Sequence, residues 1–329
     1  MRPLVVLAFG GNALLAEKEK GTISEQEANA ARTAQEIFPL VVGDYDIIIT
    51  HGNGPQVGNI LIQNEEAAQL VPTMPLDVCV SESEGLIGYI LQQAILNELR
   101  RHNLKRYVVT MITQVVVDKN DPAFKTLTKP IGPFFTADKA EVFKRERKWV
   151  MIEDSGRGFR RVVPSPMPVK IIQRPMIYDL ARAGHIVIAL GGGGIPIWKK
   201  ENNDYEGIEA VIDKDIASGL LAAEMKADML LILTTVPKVY LNYGKPNQKA
   251  LDKVSLTEAK KYLKEGHFGT GSMAPKIEAA IRYLEQVTGT VVITNSAHLK
   301  AALKDPTKGT YIYSDIKPKR DKDNLLIDF

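Results

Sequence analysis

Cysteine is almost missing from this chain: Cys79 stands alone among 329 residues, so no disulfide can form within it. Between Val78 and Val80 it reads as a buried, inert thiol, which fits a reducing compartment. Long apolar runs are missing too, since no stretch approaches the roughly 20 residues that a membrane span needs. The first apolar run is cut by Gly10, Gly11 and Asn12 with no small-residue cleavage site after it. It predicts a strand and a turn, not a leader. We therefore expect a soluble protein of the cytoplasm with no membrane contact. Charge of one sign is also lacking. The 42 basic residues stand against 39 acidic ones, a net +3, which gives no basis for nucleic acid as a partner. Histidines are few and scattered, at positions 51, 102, 185, 267 and 298, so no metal-ligand spacing arises. No GxxxxGK[ST] loop occurs, and no GxGxxG turn. The four glycines at 191–194 run into Ile195 and Pro196, and proline there disfavours the helix that a dinucleotide turn opens.

What is present is an alternation of apolar runs and helical periodicity. Leu4–Phe9, Asp46–Thr50, 107–117, 186–190, Met229–Leu233 and Thr290–Thr294 read as strands, most of them covered on both faces. Helices are expected over 25–41, 56–69, 82–101 and 216–226. The alternation predicts an α/β fold with a mostly parallel sheet covered by helices. Residues 120–170 break the rhythm with six prolines, and 139–161 hold eight basic against four acidic residues. This stretch reads as an excursion from the sheet or a protruding subdomain, most of its charges being solvated surface. The tail from 314 to 329 alternates charges and has no assigned role.

Three glycine-rich turns each follow an apolar strand: Gly10-Gly11-Asn12, Gly52-Asn53-Gly54, and 191–194. In a parallel sheet, ligands bind outside the carboxyl ends of the strands. Glycine there permits positive φ and lets backbone N–H groups approach an anion. One such turn has a purely steric explanation; three at corresponding strand ends point to a phosphate site. Lys276 follows Pro275 in the first turn of a predicted helix. A cation there opposes the helix dipole at a cost of up to about 1 kcal/mol. The placement makes sense if a phosphate occupies that end; otherwise an exposed lysine tolerates the penalty. In Asp213-Lys214-Asp215 the pattern places a helix start at Ile216, with Asp215 as its N-cap or as a holder of neighbouring ammonium groups. Lys129 sits in a proline-stiffened stretch and by itself reads as a solvated loop lysine. His51 adjoins a glycine turn and is open to a substrate or a structural role. No activated nucleophile is evident. Phosphoryl transfer needs none, because positioning and charge neutralisation supply most of its rate.

Taken together, these segments resemble the amino-acid kinase family, and within it the carbamate kinases. The matching stretches are AFGGNAL (8–14), THGNGPQVG (50–58), KPIGPF (129–134), GGGGIP (191–196), AVIDKDIAS (210–218), GKPNQ (244–248) and GTGSMAPK (269–276). KPIGPF and the DKD run are what single out the carbamate kinases. The resemblance implies a three-layer αβα sandwich with a largely parallel sheet of about eight strands. It implies a kinase domain over 1–313: an acceptor-binding half over about 1–205, including a subdomain at about 120–170, and a nucleotide-binding half over about 206–313. A homodimer is implied as well.

The implied reaction moves a phosphoryl group reversibly between ATP and carbamate, giving ADP and carbamoyl phosphate, with Mg²⁺ carried by the nucleotide and no metal site of the protein's own. By matching motif, Gly10, Gly11, Asn12, Gly52, Asn53 and Gly54 would cradle the phosphate and the acceptor. Lys129, Lys214 and Lys276 would neutralise phosphate charge, with Asp215 orienting them. Gly191, Gly192, Thr235, Tyr243, Met273, Ala274 and Lys276 would meet the nucleotide. Other amino-acid kinases often carry a lysine in the first loop. Asn12 follows Gly11 here, and Lys129 or Lys214 would supply the missing charge. Two alternatives share the fold: a kinase of a larger acceptor such as acetylglutamate, or a non-catalytic nucleotide or metabolite sensor. A sensor has no need of four transition-state charges.

Overall fold

The computed structural model describes residues 1–10, 14–15, 19–154, 156–269 and 271–317. Its central strand is β1 (Leu4–Phe9), all six of whose residues are buried. It pairs in parallel with β2 (Asp46–Thr50) on one side and β12 (Met229–Leu233) on the other. Beyond β2 lie β9 (Ile186–Ile188) and the edge strand β3 (Val108–Thr110). Beyond β12 lie β16 (Thr290–Thr294), β17 (Thr310–Tyr313) and β15 (Lys253–Ser255). In this eight-stranded sheet every neighbouring pair is parallel except β16 with β17.

Alternate residues of β1 point to opposite faces. Leu4, Val6 and Ala8 pack with apolar residues of α5 (Arg174–Arg182), α6 (Lys214–Glu224), α7 (Leu256–Lys264) and α8 (Ala274–Leu284). Val5, Leu7 and Phe9 pack with residues of α1 (Ile23–Val41), α3 (Leu76–Arg101) and α9 (Ser296–Lys304). Each fully buried aliphatic side chain is worth about 1.5–3 kcal/mol, so the strands that read as continuous apolar runs hold the three layers together. The expected αβα sandwich is the fold observed.

A second, four-stranded sheet joins β11 (Tyr205–Gly207), β10 (Ile195–Lys199), β4 (Gln114–Val117) and β8 (Pro168–Ile171). Here the reading of 107–117 as one strand is corrected: it divides into β3 and β4, which lie in different sheets. Thr113 makes the break. Its N–H donates to Glu84 Oε2 at 3.0 Å, and its Oγ1 accepts the Leu190 N–H at 3.1 Å. Periodicity does not report such side-chain ties. The strand expected over 186–190 likewise ends early, because Leu190 adopts a left-handed conformation with φ 54°. A hairpin of β13 (Val239–Leu241) and β14 (Lys249–Leu251) encloses residues 244–248.

Residues 129–163 form a subdomain. Its antiparallel sheet has β5 (Lys129–Phe135) and β6 (Met151–Glu153) flanking β7 (Phe159–Val163), with α4 (Ala137–Arg147) alongside. Lys129 therefore opens an edge strand and is not a loop residue. An edge strand tolerates Pro130 and Pro133, whose missing N–H groups face no partner strand. Most of the basic residues here are exposed, as expected. Arg147 and Arg161 reach back to Glu65 and Glu66 of α2 (Gly54–Glu66), fastening the subdomain to the main body.

Candidate active site

The strand registers align the carboxyl ends of the parallel strands. Ala8 pairs with Thr50, Phe9 with Leu233, Ile49 with Ile188, and Leu233 with Thr294. The residues that follow, among them Gly10, His51, Gly191 and Thr235, emerge along one edge. β1 is also where the strand order reverses, and a crevice opens at such a switch point. The Gly10 N–H spans it, donating to the Leu233 carbonyl at 3.1 Å. Gly11 and Asn12 lie outside the described residues, as does Thr270 of the GTGSMAPK stretch.

The second and third glycine turns are joined. The Gly192 N–H donates to the His51 carbonyl at 2.7 Å. Gly192 has φ +64°, and any Cβ there would overlap the Asn53 side-chain amide. Only glycine fits both conditions. Asn53 in turn donates from Nδ2 to Ser83 Oγ of α3 at 2.8 Å. Asn53 precedes α2 but makes no side-chain cap, so the helix starts at Gly54 with its first N–H groups uncapped. Gly191 and Gly192, read as nucleotide-binding, are packed by the structure against the turn at 52–54.

The lysines converge on the DKD run. Helix α6 begins at Lys214, and its N-cap is Asp213, which accepts from the N–H groups of Asp215 at 2.9 Å and Ile216 at 3.3 Å. The N-cap reading of Asp215 is thus corrected. The reason is local: Asp213 has the extended backbone (φ −71°, ψ 120°) that a cap requires. Relieved of capping, the Asp215 carboxylate sits between Lys214 Nζ at 2.9 Å and Lys276 Nζ at 2.9 Å. Lys129 Nζ meets Asp213 Oδ2 at 2.6 Å. Lys276 is the third residue of α8, after Pro275, as the sequence indicated. Gly219 lets α6 and α8 approach, since a Cβ there would lie 2.8 Å from the Ala279 carbonyl oxygen.

The electrostatics follow from burial and pairing. Burial alone would raise the Asp215 carboxyl, but Lys214 and Lys276 outweigh it and hold the group well below the usual carboxylate range. Burial pushes the Lys214 ammonium down, Asp215 pulls it partly back, and repulsion from Lys276 adds to the depression. Burial would also raise Asp213, and Lys129 brings it below its ordinary value. Lys214 has Asp215 as its ion-pair partner at 2.9 Å, and no further hydrogen-bond partner for its buried ammonium is found among the described residues. A fixed cation with free donors suits an anion whose charge develops nearby. His51 is buried and neutral: burial lowers it to about 4, against a hydrogen bond with the Gly52 carbonyl, and Lys214 adds to the drop.

On the other side of the crevice, Met273 and Ala274 lie at the start of α8 beside Lys276. Thr235 follows β12, whose end is tied to β16 by the Thr234 N–H and the Thr294 carbonyl at 2.8 Å. Tyr243 is on the exposed β13–β14 hairpin, 5.6 Å from the Tyr240 ring. Asp213 is the partner that sequence reasoning leaves unassigned, although the DKD spacing contains it. Ser83 and Glu84 carry no sequence signal at all. In the run SESEG they look like any solvated helix residues. Among the described residues no group of three or more His, Cys, Asp and Glu could hold a metal ion, and no helix is long and apolar enough to cross a membrane.

A parallel αβα sandwich whose crevice gathers glycine turns and lysines at a switch point defines a protein built to handle phosphoryl groups. Residues 3–295 match the amino acid kinase family. A carbamate kinase of Thermococcus kodakarensis is 48% identical over 94% of this chain and 98% of its own length. The carbamate kinase of Giardia lamblia bound to citric acid superposes with a TM-score of 0.91 at 40% identity, covering 95% of this chain and 99% of that one. The same enzyme bound to AMP-PNP gives 0.86 at 41% identity, with the same coverage. The chain belongs to the amino acid kinase family, in its carbamate kinase group.

Proposed function

We propose that this protein is a carbamate kinase, transferring a phosphoryl group reversibly between ATP and carbamate to give ADP and carbamoyl phosphate. The observation that carries the reading is the placement of Lys214 and Lys276 on either side of Asp215, with Lys129 held on Asp213 beside them. In-line transfer spreads charge over the equatorial phosphoryl oxygens, and the chain's task is to position and neutralise it. Lys214 and Lys276 meet that charge, and Lys129 adds a third cation from the subdomain. Asp215, ionised and locked between ammonium groups, is a poor base and serves as their orienter. No base is needed, because the attacking carbamate oxygen is already an anion.

The uncapped N–H groups at the start of α2, with Gly10 and the turn at 52–54, hold the acceptor and the phosphate. Met273, Ala274 and Thr235 meet the nucleotide across the switch point. The acceptor half thus precedes β12 and the nucleotide half includes it. Mg²⁺, when carried in on the nucleotide, would supply further neutralisation of phosphate charge. Asp213 and Asp215 are engaged with lysines, which fits a metal that arrives on the nucleotide and is held mainly by phosphates and water. Purified protein given ADP, carbamoyl phosphate and Mg²⁺ makes ATP in a coupled assay. Absence of ATP from folded protein would sink the proposal. Comparing carbamate with acetylglutamate and aspartate as acceptors separates it from the larger-acceptor kinases.

A second copy of the chain is the partner this reading includes. Tyr89 and Leu96 on α3, with Tyr107 and Ile112 beside the edge strand β3, are exposed at 59%, 38%, 73% and 48%. Apolar exposure next to an open sheet edge favours pairing of like surfaces. Tyr107→Asp should then shift the sedimenting species from dimer to monomer. A cytoplasmic location agrees with the one buried thiol, Cys79, raised by burial to about 11.

A further inference from the structure

Helix α3 carries a carboxyl group beneath the joined glycine turns that the transfer chemistry leaves unused. Glu84 is 1% exposed. Its Oε2 accepts the Thr113 N–H at 3.0 Å, and the Gly191 N–H also bonds to the carboxyl group. Its Oε1 is buried without a hydrogen-bond partner. The neighbouring Ser83 holds Asn53, so two successive residues of α3 tie down both turns: Ser83 the one at 52–54, Glu84 the one at 191–194. The packing has no slack. A Cβ on Gly191 would lie 2.6 Å from Glu84 Cγ, 2.6 Å from His51 Cε1 and 2.8 Å from His51 Nε2. Glu84 and His51 therefore flank the same glycine. His51 Nδ1 faces the Gly52 carbonyl at 3.2 Å, which leaves Nε2 of the neutral ring as an acceptor on the side toward Gly191.

Charge decides which form of Glu84 belongs here. No ion pair is found for it among the described residues. From α3 itself Ser83 adds no charge. From the bend before β4 comes Thr113, and from the end of β2 the neutral His51. Lys214 of α6 faces His51, but Asp215 already offsets it. A buried carboxylate without a cation is costly, and burial raises this carboxyl to about 8 against the two N–H bonds it accepts. As the acid it keeps its N–H bonds on Oε2 and carries the proton on Oε1, which accepts no donor that the proton would displace.

We propose that Glu84 is a positioning residue that works in its uncharged form: it fixes Thr113 and the Gly191 turn, and its proton keeps a negative charge from lying beneath the phosphate-binding turns. Ionisation of Glu84 then repels the phosphate and loosens the turn. The proposal rests on the reading of this crevice as a phosphoryl-transfer site, and one of its two readouts does not depend on that reading.

The test compares wild type, Glu84→Gln and Glu84→Ala. Glutamine mimics the acid at every pH. It should retain kcat within about threefold of wild type at pH 7, whereas Glu84→Ala should lose about tenfold or more through misplacement of the turn. Between pH 7 and 9 wild-type kcat/KM should fall as Glu84 ionises, and Glu84→Gln should lack that limb. The second readout is the melting temperature against pH. Wild type should lose stability as pH rises from 4.5 through 8, and Glu84→Gln should lose much less. A Gln variant as damaged as Ala, or an alkaline limb and melting profile equal in wild type and Gln, would overturn the proposal. If wild type makes no ATP, the functional reading fails while the melting profiles still judge Glu84.

Discussion

Gly58→Ala tests whether the position of the subdomain sets the position of Lys129. Helix α2 crosses β5 at Gly58, with backbone against backbone. A Cβ at position 58 would overlap the amide nitrogen and Cα of Gly132 and lie 2.9 Å from the Ile131 carbonyl carbon. Ordinary contact begins at 3.4 Å, so β5 must back away from α2 by on the order of 1 Å. Lys129 heads the same strand, and its ammonium now sits 2.6 Å from Asp213. A misplacement of about 1 Å far from the reacting atoms costs up to about 10²-fold in rate. The overlap costs about 1–3 kcal/mol of stability, offset by about 1 kcal/mol from the better helix propensity of alanine. The variant should therefore stay folded, with a melting temperature only a few degrees lower. Its kcat for ATP formation should fall by about ten- to a hundredfold. Gly85→Ala is the control, because a Cβ there meets nothing within 4 Å. If folded Gly58→Ala keeps kcat within about twofold of wild type, the coupling of α2 to Lys129 through β5 is refuted.

Three other outcomes are expected. Lys214→Ala and Lys129→Ala should each lower kcat by about 10²-fold or more, with smaller changes in KM, as steady-state kinetics would report; a KM effect alone contradicts a transition-state role. Asp215→Asn leaves two buried ammonium groups without their counter-charge and should cost about 3–5 kcal/mol in urea titration. Its pH dependence has a definite sign. The Asp215 carboxyl is depressed below 3.8 in the folded state, so its contribution is present above that pH and lost as pH falls through the folded value. Asp215→Asn should lose less stability on acidification than wild type, and equal acid profiles would contradict the pairing. Gly192→Ala forces a positive φ on alanine and drives its Cβ into Asn53. It should separate the two glycine turns and lower kcat, with a crystal structure showing whether the Gly192–His51 hydrogen bond is lost.

The central strands were legible in the sequence because their inner positions are continuously apolar with no polar alternation, as a strand covered on both faces requires. β1, β2, β12 and β16 fall where the runs fall. Lys276 was legible for a similarly local reason, a cation after Pro275 in a first helical turn. Local pattern stops short where the deciding contact comes from elsewhere. The cap of α6 depends on the backbone angles of Asp213, which two candidate aspartates two residues apart do not reveal. Lys129 looked like a loop lysine because its partner, Asp213, is 84 residues away. The break between β3 and β4 follows from a hydrogen bond between Thr113 and a glutamate 29 residues before it. That glutamate, Glu84, was silent because a carboxyl in a helix reads as surface until burial is known. The sequence by itself therefore determined the α/β class, the glycine turns at strand ends and the supply of cations. Only the tertiary structure decided which aspartate holds which lysine and which carboxyl is shut away from water, because those depend on distances and desolvation between elements far apart in the chain.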